Sequence, residues 1–228
     1  MASFSDLIPG LTLKTYESGA HSIRSLEGVV QLPVWAGFQS CQGPYASFDS
    51  NIPSDGTVQV RLGSDVVIDH PTISPAQVAA YHYLIDQQGQ VQDAILTALL
   101  SQYKELQALY DYEPEEAQQL MPDVSYLSGF KTLIGLSSVH ILEVSKHDVA
   151  YVGYGFGCTW DDEHGLGVMT HQDRIIEIGG IDTSFLTWVA KQDLDPKPII
   201  EDTPTLVSDP IPQPVAILQP KRPWWKFW

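Results

Sequence analysis

A chain of 228 residues allows one large domain or a domain with appendages, and with 43% apolar against 18% charged residues its bulk can bury a core. Lys and Arg number 12 against 28 Asp and Glu, a formal charge of -16 that repels phosphate backbones and argues against nucleic-acid binding through counterion release. Two cysteines, Cys41 and Cys158, are too few for a secreted disulfide scaffold, no apolar run reaches the roughly 18 residues of a membrane span, and the start lacks a signal peptide's cationic and apolar regions, so the sequence reads as cytoplasmic.

Residues 1–73 place short apolar pieces between Gly, Pro, Ser and Asp: Val29-Val30, Val34-Trp35, Phe38, Val58 to Val60 and Val66 to Ile68. Such pieces predict short strands and long loops. Ser74-Pro75 then reads as a helix N-cap followed by proline at the first helical position. Apolar side chains recur at Val78, Tyr81, Ile85, Val91, Ile95, Leu99, Tyr103, Leu106 and Tyr110, the three-and-four spacing of one buried helix face. Gly89 costs about 1 kcal/mol relative to alanine in a helix interior, which leaves one bent helix or two, and Pro114 closes the stretch.

Beyond Met121 the pattern becomes strand-like: Val139 to Val144, Ala150 to Trp160, Leu166 to His171 and Arg174 to Ile178. The connections at Lys146 to Asp148 and Gln172-Asp173 are short enough for antiparallel hairpins. Elements segregated in this way, without regular βαβ alternation, predict an α+β fold. Its parts are a long amphipathic helix packed on an antiparallel C-terminal β-meander, preceded by the strand- and loop-rich N-terminal region.

The globular domain, residues 74–190, gives way to a linker at 191–223, where prolines at 196, 198, 204, 210, 212, 214, 220 and 223 favour extended chain over helix or sheet. It carries a tail of inverted charge, with Lys221 and Arg222 followed by Trp224, Trp225, Lys226, Phe227 and Trp228. Tryptophans dominate binding hot spots, so the tail reads as an adhesive segment that packs on its own body, on a partner, or on an anionic membrane. Attraction to such a membrane is on the order of 1 kcal/mol per positive charge, enough for reversible contact only.

No phosphate-binding loop, nucleotide-binding glycine fingerprint, nucleophile elbow or paired Cys-x-x-Cys is present. The densest polar cluster runs from Cys158-Thr159-Trp160-Asp161-Asp162-Glu163-His164-Gly165 to His171. Asp161, Asp162, Glu163, His164 and His171 have the ligand types of a divalent metal site, and a metal-bound water would make this a hydrolase. The same residues are explained by an acidic turn between two strands, with Gly165 and Gly167 supplying unusual backbone angles. The turn reading is the simpler one, because period-two alternation points these side chains in several directions. Glu163 beside His164 suggests acid-base chemistry, yet neighbours in sequence rarely face each other, and a thiolate at Cys158 is disfavoured among carboxylates. No catalytic residue and no cofactor are assigned.

The run Tyr151-Val-Gly-Tyr-Gly-Phe-Gly-Cys158-Thr-Trp160-Asp161-Asp162-Glu163-His164-Gly165-Leu166-Gly167-Val168, followed by Asp173-Arg174-Ile-Ile-Glu-Ile178-Gly179, resembles the signature of an uncharacterised bacterial domain-of-unknown-function family over residues 75–185. The resemblance implies an immunity protein of a toxin-antitoxin type of pair, one that binds stoichiometrically and turns nothing over. With the charge balance, it leads to a non-enzymatic acidic protein that neutralises a cationic toxin or secretion-related partner through Asp161, Asp162, Glu163 and the Trp-rich tail. An adaptor that presents the tail to a second partner or membrane is the alternative, beside the metal-dependent hydrolase.

Overall fold

The computed structural model describes residues 7–18, 21–41, 48–63 and 72–195. Val66 to Ile68, most of the predicted linker and the whole Trp-rich tail therefore lie outside the described residues. Five strands form before the helices: β1 (Thr12–Ser18), β2 (His21–Gln31), β3 (Gln39–Cys41), β4 (Phe48–Pro53) and β5 (Thr57–Leu62). In β5 burial alternates at every residue, the signature of a strand with one face on the core. The Val34-Trp35 piece is not a strand: Pro33 starts a 3-10 turn, Pro33–Trp35, that drops Trp35 into the core against Phe38 and Phe156, with ring centroids 5.0 and 5.2 Å apart.

Ser74 caps α1 (Pro75–Asp86) in a reciprocal box: its hydroxyl accepts from the Gln77 amide at 3.2 Å, while its own amide donates to Gln77 Oε1 at 3.0 Å. The helical stretch divides at Gln87, and α2 (Gln88–Tyr110) follows with Gly89 inside its first turn. The break does not fall at the glycine. Asp111, at φ 49°, ends α2 in the left-handed region, and Pro114 opens a further helix, α3 (Pro114–Leu120), instead of merely closing the previous one.

Four strands complete the main sheet: β6 (Ile134–Lys146), β7 (Val149–Cys158), β8 (Leu166–His171) and β9 (Arg174–Gly179). His147 and Asp148, both at positive φ, make the tight turn between β6 and β7. The sheet is seven-stranded, in the order β1-β2-β5-β6-β7-β8-β9, and β3 pairs with β4 separately. Every neighbouring pair in the large sheet is antiparallel except β5 and β6, which run parallel. Parallel strands need a long crossover, and α1, α2 and α3 supply it, so one βαβ connection sits inside a mixed α/β fold where segregated elements without βαβ alternation were expected. Through this pairing β1, β2 and β5 share one sheet with β6 to β9.

Register assigns the faces. Leu26, Leu62, Ile141, Val152 and Thr170 form one row across five strands, joined in the main core by Val91, Ile95, Leu99 and Tyr103 of α2. One residue along, a second row reads Glu27, Arg61, His140, Gly153, Met169 and Glu177 on the opposite face. The C-terminal half of that back face is covered by a strap, residues 180–186, and by α4 (Thr187–Leu194). Leu142, Val144, Tyr151, Met169, Val189 and Ala190 make a second core beneath them. The strap lies at backbone distance because Gly153 and Gly167 have no side chains: a Cβ on Gly153 would stand 2.6 Å from Ser184 Cα and overlap its carbonyl, and one on Gly167 would overlap the Gly180 carbonyl.

Asp193 fastens α4 to the sheet. It accepts from both Arg174 Nη atoms (2.8 and 2.6 Å), from the Tyr151 hydroxyl (2.6 Å) and from Lys146 Nζ (3.1 Å). The Arg174 hydrogen bonds, helped by Tyr151 and Lys146, hold this carboxyl well below the usual carboxylate range. A depressed folded value means stability that is present above the unfolded pKa of about 3.9 and lost as pH falls below it. Asp193→Asn is expected to cost about 1–2 kcal/mol at pH 7, allowing for solvent around Arg174, and to flatten the acid limb of a melting-temperature profile below roughly pH 5. An unchanged acid limb would show that Asp193 does not fasten the helix.

The folded unit extends to Asp195, so α4 carries it past residue 190. Among the described residues no helix is long and apolar enough to cross a membrane.

Candidate functional site

The conspicuous sequence cluster forms a turn between β7 and β8. Asp161 organises it: Oδ1 accepts the His164 amide at 2.8 Å and faces the His164 ring Nδ1 at 3.0 Å, while the Asp161 carbonyl accepts from Gly165, whose φ is +59°. The histidine's partner is thus Asp161 and not its neighbour Glu163. From the C-terminal end of α2, the Tyr110 hydroxyl donates to Asp161 Oδ2 and the Tyr112 hydroxyl to the Trp160 carbonyl, both at 2.7 Å. Thr159 donates to the Leu120 carbonyl at 2.5 Å. Three anchors therefore bind the turn to the helical segment beside it.

Beneath the turn, Trp160 is 2% exposed and meets Tyr103 edge-on at 5.8 Å, as expected of an aromatic ending an apolar strand. Cys158 is equally buried, and burial, with the Asp161 carboxylate second, pushes its thiol up. A raised thiol pKa disfavours the thiolate a nucleophile needs. The pinned tyrosines bring two acidic segments to one platform: Asp111, Glu113, Glu115 and Glu116 are exposed on one side, Asp162 and Glu163 on the other. Tyr112 senses both, since the charges of Glu116 and Asp162 each help to raise its phenol pKa, after burial and Asp161. No Lys or Arg occurs between Glu105 and Phe130 or between His147 and Asp173.

His171 does not belong to this group. It ends β8 at the far side of the strand from Gly165, roughly 16–20 Å away at strand rise, where its Nε2 meets the Lys146 carbonyl at 2.9 Å and its ring lies 4.9 Å from Tyr151. Asp162 and Glu163 point to solvent and His164 to Asp161, so Asp162, Glu163, His164 and His171 are not gathered around a common point. Among the described residues no three His, Cys, Asp or Glu side chains are placed to hold a metal ion. Trp224, Trp225, Lys226, Phe227 and Trp228 lie outside the described residues.

A second concentration of chemistry was not singled out from the sequence. On the back face, where the strap ends, a cleft of about 500 Å³ opens between Tyr16, Glu27, Arg61, Ser138, His140 and Phe185. Glu27, although a carboxylate, is 8% exposed; it accepts the Tyr16 hydroxyl at 2.9 Å and lies 3.7 Å from Arg61 Nε. His140 Nε2 is 3.3 Å from Ser138 Oγ, and its ring stands 5.4 Å from that of Phe185. Burial, reinforced by the Arg61 charge, pushes His140 down to about 3, so the imidazole is neutral at pH 7. In sequence Glu27, Arg61 and His140 stand among other polar residues of their strands and nothing marks them out; only the register reveals that they are neighbours.

Residues 37–186 match the family described as Domain of unknown function (DUF6985), and the chain belongs to that family. The match opens at residue 37, so it takes in β3, β4 and β5, which the resemblance over 75–185 left out. No curated protein and no solved structure matches the chain.

Proposed function

We propose that this member of the DUF6985 family is a non-enzymatic acidic binding protein of the bacterial cytoplasm, immunity-like, that neutralises a cationic protein partner by stoichiometric contact. The observation that carries the reading is the platform on which Asp111, Glu113, Glu115, Glu116, Asp162 and Glu163 are exposed together while Tyr110 and Tyr112 hold its two segments in place. A rigid array costs little ordering on binding, and a single-sign surface speeds encounter with an oppositely charged partner. The long helix beside the antiparallel strands is the support that keeps this array stiff.

Co-expression with the product of the adjacent reading frame tests the proposal. The expected outcome is a one-to-one complex by size-exclusion chromatography whose affinity falls at least tenfold in the triple variant Asp111→Lys, Glu115→Lys, Asp162→Lys and weakens in salt. A neighbour that is not cationic, or a complex indifferent to charge reversal, would sink it.

A further inference from the structure

The back-face cleft shares no residue with the acidic platform, and the proposed function makes no use of it. Its volume lies in the range of small-molecule sites, and its floor is carried by three adjacent strands, which position side chains more precisely than loops do. We propose that this cleft is a binding site for a small aromatic monocarboxylate, with Arg61 as its anchor.

Arg61 presents its side chain half exposed at the cleft. Only Nε faces Glu27, and 3.7 Å is too long for a hydrogen bond, so Glu27 aims the guanidinium without saturating it. Among the described residues nothing occupies the two Nη groups, which form the planar fork that takes a carboxylate through two parallel hydrogen bonds. Tyr16, donating to Glu27, keeps that buried carboxylate from swinging toward the incoming anion. Ser138 and the neutral His140 offer a hydroxyl and an imidazole for a second polar contact without adding charge.

Apart from Ser25 and Gly63, the remainder of the cleft is apolar or aromatic. Ile181 lines it, the Phe185 ring closes the strap side, and the Tyr16 ring is 47% exposed opposite. Flat apolar walls suit an aromatic body. The whole-chain charge of -16 penalises each further negative charge brought to the surface, which favours a singly charged carboxylate over a phosphate ester or polyanion.

The test is a titration of the full-length, isotope-labelled protein with benzoate, benzamide and phenyl phosphate, followed by amide chemical shifts. Benzoate is expected to give saturable shifts centred on Arg61, His140 and Phe185, at an affinity at least tenfold above that for benzamide and above that for phenyl phosphate. Arg61→Gln should weaken benzoate at least tenfold with an unchanged melting temperature, and Arg61→Lys should not restore it. Should Arg61→Gln melt early, benzoate protection of Arg61 from phenylglyoxal, read by mass spectrometry, decides the matter in the native protein. Equal binding of benzamide, tighter binding of phenyl phosphate, shifts centred elsewhere, or absence of protection would each overturn the assignment.

Discussion

Gly153→Ala is expected to detach the strap and lower the melting temperature by on the order of 10 °C. The added Cβ would overlap the Ser184 carbonyl, and the obstacle is backbone on both sides, so neither a rotamer change nor a flexible side chain relieves it. Overpacking of this kind costs about 3 kcal/mol, and in a domain of this size each kcal/mol is worth roughly 2–4 °C. Lifting the strap would also uncover Leu142, Met169 and Tyr151, so binding of an apolar dye should rise together with the loss of stability. Gly89→Ala is the control: nothing lies near the position of its Cβ, and alanine there should stabilise by up to about 1 kcal/mol. If Gly153→Ala melts with the wild type, the strap does not lie on the sheet as described.

Trp160→Ala should be comparably damaging, for a different reason. Loss of a buried indole removes its contacts and leaves a cavity that Tyr103 and Phe130, themselves edge to face at 5.2 Å, fill only in part. Such truncations cost about 3–5 kcal/mol, a large share of the 5–15 kcal/mol that a domain has in total. The carbonyl that accepts the Tyr112 hydroxyl belongs to Trp160, so the variant should also loosen the turn and weaken partner binding beyond the loss of folded protein. A melting temperature within two degrees of wild type would place the ring outside the core.

What could be read in advance followed the range of the forces involved. Ser74 and Pro75 were legible because a cap is local chemistry, complete within four residues. The break at Gln87 was not, since it depends on a tertiary partner: the Gln88 side chain returns to the Ile85 carbonyl at 3.1 Å, and its Oε1 faces the Val34 amide at 3.4 Å. Parallel pairing of β5 with β6 was hidden for the same reason, because three helices separate the two strands in sequence.

The site divides likewise. The acidic turn was recognisable from its carboxylates and from Gly165, which does adopt a left-handed conformation. Gly167, assigned to the same turn from sequence, is instead in β8, and is glycine because the Gly180 carbonyl occupies the space of a side chain. Glu27, Arg61 and His140 each resembled a solvated position of an alternating strand; only the sheet order turns them into a row. Tyr110, read as the last residue of the buried helix face, and Tyr112, which no sequence pattern marked, prove to be the pins that join the two acidic segments.

Hydrogen exchange on the complex with the cationic partner tests the account most directly, because it reports the surface that is covered. Binding through the platform predicts slowed exchange confined to residues 110–116 and 159–165, with the back-face row at Glu27, Arg61 and His140 unchanged. Protection that spares both acidic segments would contradict the account, whatever the affinity of the complex.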